Sequence, residues 1–417
     1  MDMFEVIGSF GPWQRKVFII FFIINIVGMW QNLATTFFAP NMDFRCVDSV
    51  SRNDNGTTFD NSCEVQVGNR SFPCTKWEYD TSFYSQTIVS EWDLVCDREW
   101  LISLSKSVYM GGFLVSVIFF GQLSDSIGRL PAVVISYIIT VVSMLMTLLS
   151  TSYVMFMILR FLQAFGRTAL STVGYVLVME LVGPRHRTDV GIAIQLGWSI
   201  GFASLSAVGW FFRHWFWFQL ALFVPILPFF FTYHLVPESP RWLLTKGKKK
   251  RFEKLVEKAA RINGKEIKGS VQHLMQNKSE EGSQKTLTLL YILKWPKMRN
   301  RVLNSNYVWF VNSFMYYGLS FNTNDLAGNP YLNLFLAGAL EFPSYAFLFW
   351  SIKKWGRRLT LIFLMVVGGA ACASIVAVPD GEHSWITQSR FWLTAQINKM
   401  LVGLRIDKLI EDDEMAF

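Results

Sequence analysis

The sequence predicts an all-α polytopic membrane protein. Its composition is the first reason: 52% of the 417 residues are hydrophobic and 17% are charged, which is typical of a chain largely surrounded by lipid. The second is the length of its apolar segments, since about 20 mostly apolar residues are needed to cross the hydrocarbon core. Nine segments are long enough: Val17–Phe38, Leu101–Leu123, Pro131–Leu149, Tyr153–Val178, Val190–Phe212, Phe216–Val236, Arg301–Phe321, Leu332–Ile352 and Leu359–Val378.

Positive charge is concentrated on alternate connections between these segments. The basic connections hold Arg129, then Arg185 and Arg187, then the stretch from Arg241 to Arg299, then Lys353, Lys354, Arg357 and Arg358. Because positively charged short loops stay in the cytoplasm, these connections and the N-terminus are predicted to be cytoplasmic. The same bias accounts for the net charge of +8, so no nucleic-acid site is expected at the basic cluster Lys246–Arg251.

The loop from Asn41 to Trp100 is predicted to lie on the opposite, outer side. It holds four cysteines: Cys46, Cys63, Cys74 and Cys96. Cysteines gathered in an outward loop favour two disulfides formed in an oxidising space, and three connectivities are open. Zinc is the alternative, but the spacings form no closely paired cysteines and the loop has no histidine.

The same loop contains two acceptor sequons for N-glycosylation, at Asn55 and Asn69. Glycosylated asparagines belong to surface loops of the extracellular side. A third sequon at Asn277 falls in a predicted cytoplasmic segment and is expected to stay unmodified.

The turn between the second and third spans has a distinctive polar sequence. Residues 121–129 read Gly-Gln-Leu-Ser-Asp-Ser-Ile-Gly-Arg. Gly and Asp also favour an ordinary turn, but Asp125 and Arg129 at a helix junction predict a charge pair that is remade when the helices move. The pattern resembles the signature turn of the major facilitator superfamily. Residues 354–358, with Gly356 and Arg357, repeat it six spans later without an acidic residue, as expected of two related halves.

A second motif, Pro-Glu-Ser-Pro-Arg-Trp-Leu at residues 237–243, follows the sixth span. It is either a proline-terminated helix end or the junction between two halves. Apolar residues at helical spacing follow it, from Phe252 to Ile262, and predict an amphipathic helix along the inner membrane surface.

Three further segments narrow the family. These are residues 91–97 (Glu-Trp-Asp-Leu-Val-Cys-Asp), 179–187 (Met-Glu-Leu-Val-Gly-Pro-Arg-His-Arg) and 214–221 (His-Trp-Phe-Trp-Phe-Gln-Leu-Ala). Together with the cysteine-bearing loop they resemble the organic cation, anion and zwitterion transporter family, from about Phe10 to Trp385. The resemblance implies alternating-access transport at the plasma membrane, through a cavity between two halves and without a cofactor. No enzyme activity is expected.

The resemblance also implies a division of the chain. Residues 1–236 would form a first half of six helices carrying the outer loop 41–100, and residues 237–300 a cytoplasmic linker. Residues 301–378 would form a partial second half of three helices. The tail 379–417 contains no further apolar span, so about nine of twelve helices are expected. A transport-incompetent chain is therefore the alternative to an active carrier.

Glu341, in the eighth span, is the candidate for the substrate-binding charge. An ionisable residue within a span is costly, so it normally faces protein or a water-filled path. The segment Gly338–Pro343 resembles the Glu-x-Pro pattern of cation-transporting members. The predicted substrates are small organic cations with an amine or quaternary ammonium group. The alternatives are a carboxylate that only pairs with an internal arginine or is protonated, and transport of carnitine-type zwitterions or anions.

Aromatic faces hold cations through their quadrupole, and several aromatic residues are candidates to accompany Glu341. They are Tyr175, Trp198, Phe314, Tyr316 and Tyr317. Tyr175 lies in a segment that resembles the family's cavity-lining fourth helix. Ser171 stands where cation carriers often have tryptophan.

The inner gate is predicted from charged residues at the cytoplasmic helix ends. Glu180 closes the fourth span within reach of Arg129 or Arg187. Asp125 and Arg357 complete the candidate set, one in each signature turn. No metal ligands are predicted, the lipid bilayer is the expected environment, and the oligomeric state is left open.

Overall fold

The computed structural model describes residues 3–47, 63–67, 70–265, 296–321 and 329–376. Within these ranges most of the chain is helical. The first helices are α1 (Met3–Ile7), α2 (Pro12–Leu33), α3 (Thr35–Phe38), α4 (Ile88–Glu91), α5 (Trp100–Ile127), α6 (Arg129–Leu148), α7 (Tyr153–Leu181) and α8 (Pro184–Phe211). They are followed by α9 (Trp215–Phe223), α10 (Phe229–Thr232), α11 (Pro240–Thr245), α12 (Lys249–Ile262), α13 (Pro296–Phe321), α14 (Pro330–Ala339) and α15 (Glu341–Val376).

The nine predicted spans all fall on these helices. By length and composition, six stretches of the described chain are able to cross a membrane: Pro12–Phe38, Cys96–Ile127, Arg129–Leu148, Pro184–Phe211, Trp215–Leu235 and Pro330–Gly356. Helices α7 and α13 are as long, with 29 and 26 residues. They are more polar: α7 carries Arg160, Arg167 and Glu180, and α13 carries several asparagines.

Two glycines make the sharp turns that separate consecutive spans on the predicted inner side. Gly128 lies between α5 and α6 with a φ of 117°, and Gly356 interrupts α15 with a φ of 73°. Positive φ is sterically open to glycine and strained for other residues. Gly356 therefore divides α15 into the eighth and ninth spans. Both signature turns are made by a glycine with positive φ.

The outer loop folds as two small antiparallel sheets. Strand β1 (Phe44–Cys46) pairs with β4 (Trp77–Tyr79), and β2 (Glu64–Val67) pairs with β3 (Arg70–Pro73). The expected two disulfides are Cys46–Cys74 and Cys63–Cys96. Asn55 and Asn69 lie outside the described residues.

Backbone contacts attach this loop to the helices. Trp215 N donates to Gln86 O at 2.9 Å, and Ser85 N donates to Arg213 O at 3.2 Å. Tyr331, at the start of α14, donates its hydroxyl to Phe83 O at 2.7 Å. The loop is thus bound both to the first six spans and to the eighth.

The pKa of Tyr79, in the outer loop, is strongly raised. Burial, followed by the neighbouring Asp93 carboxylate, raises the pKa of Tyr79, and its hydroxyl donates to Asp93 Oδ1 at 3.0 Å. This bond ties β4 to the segment that precedes α5.

Helix α12 packs differently from the expectation. Three residues of its apolar face, Phe252, Val256 and Ala259, are fully buried in a cluster with residues of α1, α2 and α11, whereas Ile262 at its end is 37% exposed. Asn263, at its C-terminal end, donates to Ile7 O at 2.8 Å and accepts from Trp13 N at 3.0 Å. The amphipathic pattern is correctly predicted, but the apolar face is covered by protein rather than by lipid.

Candidate functional site

The first signature turn is the centre of a charge network. Arg129 Nη1 lies 2.8 Å from Asp125 Oδ1. The same guanidinium donates from Nε to Glu180 Oε2 at 3.1 Å and from Nη2 to Glu180 Oε1 at 3.2 Å. The Arg129 and Glu180 side chains are each 13% exposed, whereas Asp125 is 64% exposed. The two-point contact with Glu180 is therefore the sheltered part of the network.

Glu238 joins the same turn from the Pro-Glu-Ser-Pro motif. Its carboxylate accepts from the backbone N–H groups of Arg129 at 2.9 Å and of Leu130 at 3.2 Å. These N–H groups lie in the first turn of α6 and have no acceptor within the helix. The Glu238 carboxylate is also attracted by the positive end of the helix dipole. A Cβ at Gly128 would overlap the Glu238 carboxylate, so a side chain there would displace the carboxylate from α6 as well as strain φ.

A tryptophan connects the turn to the linker helices. Trp242 Nε1 donates to Asp125 O at 3.0 Å. Lys248 Nζ lies 4.2 Å from the centre of the Trp242 ring. Helix α11 is therefore attached to the end of α5.

Arg187, another predicted gate residue, lies apart from this contact. Arg187 donates from Nε to Val182 O at 3.2 Å and lies over the Phe4 ring at 5.9 Å. Of the two arginines considered for Glu180, Arg129 is the one it pairs with. Arg357 directly follows Gly356 in the second turn.

Three of the candidate aromatic residues form a chain of contacts where the first and second halves approach each other. Trp198 of α8 donates its Nε1–H to the Tyr316 hydroxyl of α13 at 3.2 Å. The Tyr316 and Tyr317 rings contact edge to face, with centroids 5.2 Å apart. Trp198 and Tyr317 therefore lie on either side of Tyr316.

The other two aromatic candidates lie elsewhere. Tyr175 is partly buried and packs on the cluster that includes α1, α2 and α12. Phe314 is 70% exposed and stacks on Phe310, with centroids 6.2 Å apart. The structure does not bring Phe314 into the Trp198–Tyr316–Tyr317 group.

Glu341 begins α15 and is 2% exposed. The helix before it, α14, packs tightly against α8. At Gly338, three residues before Glu341, an added Cβ would overlap the backbone of Ala203. Glu341 is thus carried into the protein on a segment packed against the helix that bears Trp198.

Two arginines of α7 are also buried. Arg160 is 2% exposed and donates to Gln163 Oε1 at 2.8 Å, Thr35 Oγ1 at 2.9 Å and both the side-chain and backbone oxygens of Gln31 at 3.3 Å. Its guanidinium also lies 4.3 Å from the centre of the Tyr109 ring. Arg160 thereby braces α2, α5 and α7. Arg167 is 3% exposed and interacts electrostatically with Tyr109 and Tyr317.

Comparison with known proteins identifies the family. The model of the "Sugar (and other) transporter" family matches residues 18–394. The "Organic cation transporter protein" of Drosophila melanogaster is 32% identical over 418 residues, covering 92% of this chain and 76% of that protein. This chain belongs to the organic cation transporter family.

Other relatives agree with this family assignment. The "Beta-alanine transporter" of Drosophila melanogaster is 35% identical over 317 residues, covering 74% of this transporter and 52% of that relative. The partially occluded, inward-open xylose transporter XylE from E. coli superposes with a TM-score of 0.65 at 13% identity, over 95% of this chain and 86% of that one. The transporter therefore has the major facilitator fold, and it is a multi-pass membrane protein, not an enzyme.

Two prominent residues of the transporter were not anticipated from its sequence. The sequence marks Glu238 only as part of a motif at a helix end or at the junction between the two halves, and it does not single out Arg167. Arg167 satisfies the same criterion as Glu341, an ionisable side chain within an apolar span. Glu238 offered a weaker signal, a carboxylate directly after a span.

Proposed function

We propose that this transporter carries small organic cations, with an amine or quaternary ammonium group, across the plasma membrane by alternating access. The observation that carries the proposal is the burial of Glu341, which is 2% exposed and lies inside the apolar stretch Pro330–Gly356. An ionisable residue at the centre of a span costs about 2.5–3.5 kcal/mol on insertion scales. Attraction for a substrate ammonium group would account for its presence.

Aromatic rings complete the proposed cation site. The pair Trp198 and Tyr316, hydrogen-bonded at 3.2 Å, and the adjacent Tyr317 offer ring faces at the contact between the two halves. A cation over such a face gains about 0.5–2 kcal/mol, depending on its desolvation. Tyr175 and Phe314 remain in the proposal as residues that would meet the substrate in another state of the cycle.

Movement between states would use the inner charge network. Arg129 pairs with Asp125 and Glu180 in the present state, and we assign Arg187 and Arg357 to the same inner gate. With the N-terminus in the cytoplasm, the membrane potential supplies about 2.3 kcal/mol per charge per 100 mV for cation entry. Facilitated diffusion therefore needs no coupling ion.

The test is uptake of tetraethylammonium by cells that display the chain at their surface. Uptake should saturate with concentration, increase with a more negative membrane potential, and fall at least about tenfold in Glu341→Gln. Glu257→Gln, on the exposed face of α12, is the matched control and should transport normally. Uptake equal to that of untransfected cells, with surface display confirmed, would refute the proposal.

Zwitterions are the second candidate substrates. The "Beta-alanine transporter" relative is named for a compound that has both an ammonium and a carboxylate group, and it is 35% identical to this chain. Cation and zwitterion transport share the ammonium site. They differ in whether a second, positive side chain meets the substrate.

A further inference from the structure

The side chain of Arg167 lies deep within the first half of the transporter. It is the central residue of α7, which has 29 residues, so it lies about 21 Å from either helix end at 1.5 Å per residue. It is 3% exposed. A cation at this depth cannot reach the membrane interface and needs a partner inside the protein.

That partner is absent from the part of the chain that the structure describes. Neither Nε nor Nη2 of Arg167 has a hydrogen-bond acceptor there. The hydroxyl of Thr168 and the amide Nδ2 of Asn32 are also buried without partners among the described residues. Guanidinium nitrogens only donate, so what Arg167 lacks is an oxygen acceptor.

Arg160 shows that the lack of partners is specific to Arg167. Both arginines lie on α7, with exposures of 2% and 3%. Arg160 donates four hydrogen bonds to α2, α3 and α7. A bracing role therefore explains Arg160 and leaves Arg167 unexplained.

The surroundings of Arg167 place it at the contact between the halves. Tyr109 on α5 and Tyr317 on α13 lie within electrostatic range of its guanidinium. On α2, a Cβ at Gly28 would overlap the guanidinium, so the side chain occupies space left open by that glycine. Tyr317 adjoins Tyr316, which binds Trp198, so the guanidinium lies beside the aromatic part of the proposed cation site.

We propose that Arg167 binds the carboxylate of a zwitterionic substrate whose ammonium group is held by Glu341. The inference rests on the proposed transport function and narrows its substrates to ammonium carboxylates. The planar guanidinium suits two-point binding of a carboxylate. Arg167 belongs to the first half and Glu341 to the second, so the substrate would connect the two bodies that rock during transport.

The test compares uptake of choline and of glycine betaine, which share a trimethylammonium group. Betaine has a carboxylate where choline has a hydroxymethyl group. Arg167→Gln should raise the KM for betaine at least about tenfold, because charge-assisted hydrogen bonds are lost. The KM for choline should change less than about twofold. Arg167→Lys should give an intermediate KM for betaine, since lysine keeps the positive charge but cannot bind a carboxylate with two parallel hydrogen bonds.

Arg251→Gln, on the exposed surface of α12, is the control and should leave both KM values unchanged. Equal changes for choline and betaine in Arg167→Gln, or an unchanged KM for betaine, would overturn the inference. If unmutated protein at the surface transports neither compound, the proposed function fails, and a binding measurement then decides the role of Arg167 separately.

That measurement is the thermal stability of the purified full chain. Betaine should stabilise the unmutated protein more than betaine methyl ester does, because the ester keeps the ammonium group and lacks the negative charge that Arg167 would bind. Because this comparison needs no variant, it also serves if Arg167→Gln does not fold. Equal stabilisation by betaine and its ester, or none by betaine, would contradict carboxylate binding.

Discussion

The two signature turns have the same backbone geometry but different electrostatic surroundings. Gly128 and Gly356 both have positive φ, 117° and 73°, and each is followed by arginine. Four residues before that arginine, the first turn has Asp125 and the second has Lys353. The internal repeat thus preserves the glycine that makes the turn and reverses the charge beside it.

The reversal changes what holds each turn in place. In the first turn, the carboxylates of Asp125, Glu180 and Glu238 all bind the Arg129 backbone or side chain. In the second turn, Lys353 Nζ lies 3.8 Å from the centre of the Phe349 ring, and Lys354 Nζ lies 4.9 Å from that of Trp350. The first turn is joined to distant helices, whereas the described contacts of these lysines stay within α15. We infer that the first turn is the stiffer of the two.

The largest expected difference comes from replacing the two glycines by alanine. Gly128→Ala should lower the free energy of unfolding by roughly 2–5 kcal/mol, because strain in a φ/ψ region essentially restricted to glycine adds to overlap with the Glu238 carboxylate. Gly356→Ala should cost roughly 1–2 kcal/mol, since an added Cβ meets nothing within 4 Å. Thermal unfolding of the purified proteins in detergent measures both. Equal losses would remove the distinction between the turns.

A smaller effect is expected from removing single charges within the first turn. Glu180→Gln should destabilise by about 1.5–3 kcal/mol, because it breaks a sheltered two-point contact with Arg129. Asp125→Asn should cost about 0–1 kcal/mol, since that pair is solvent-exposed. Unfolding at low and high salt tests this assignment, and only the Asp125 contribution should fade with salt. A larger loss for Asp125→Asn would contradict it.

The smallest effect is expected in the second turn. Lys353→Met should cost about 0.5–1 kcal/mol, the usual contribution of an exposed cation–π contact. Lys250→Met, on exposed α12, is the control and should leave stability unchanged. A loss as large as that of Glu180→Gln would mean that the second turn is as firmly held as the first.

Local patterns determined much of the architecture. The nine apolar segments, the amphipathic residues of α12, the Asp125–Arg129 pair and the number of disulfides all follow from residues close together in sequence or from simple counting. Helical periodicity and four-residue spacing are set by the geometry of a single helix and its adjoining turn. For these features the surrounding fold adds confirmation and little new information.

Only the tertiary structure decided which distant groups meet. The disulfide connectivity, the choice of Arg129 over Arg187 by Glu180, and the 109-residue separation between Glu238 and Arg129 depend on how whole helices pack. The same holds for α12, because its buried apolar residues pack on protein. It also holds for the difference in hydrogen bonding between Arg160 and Arg167. Hydrophobicity directs a residue inward, but its partner there is set by the positions of every helix around it.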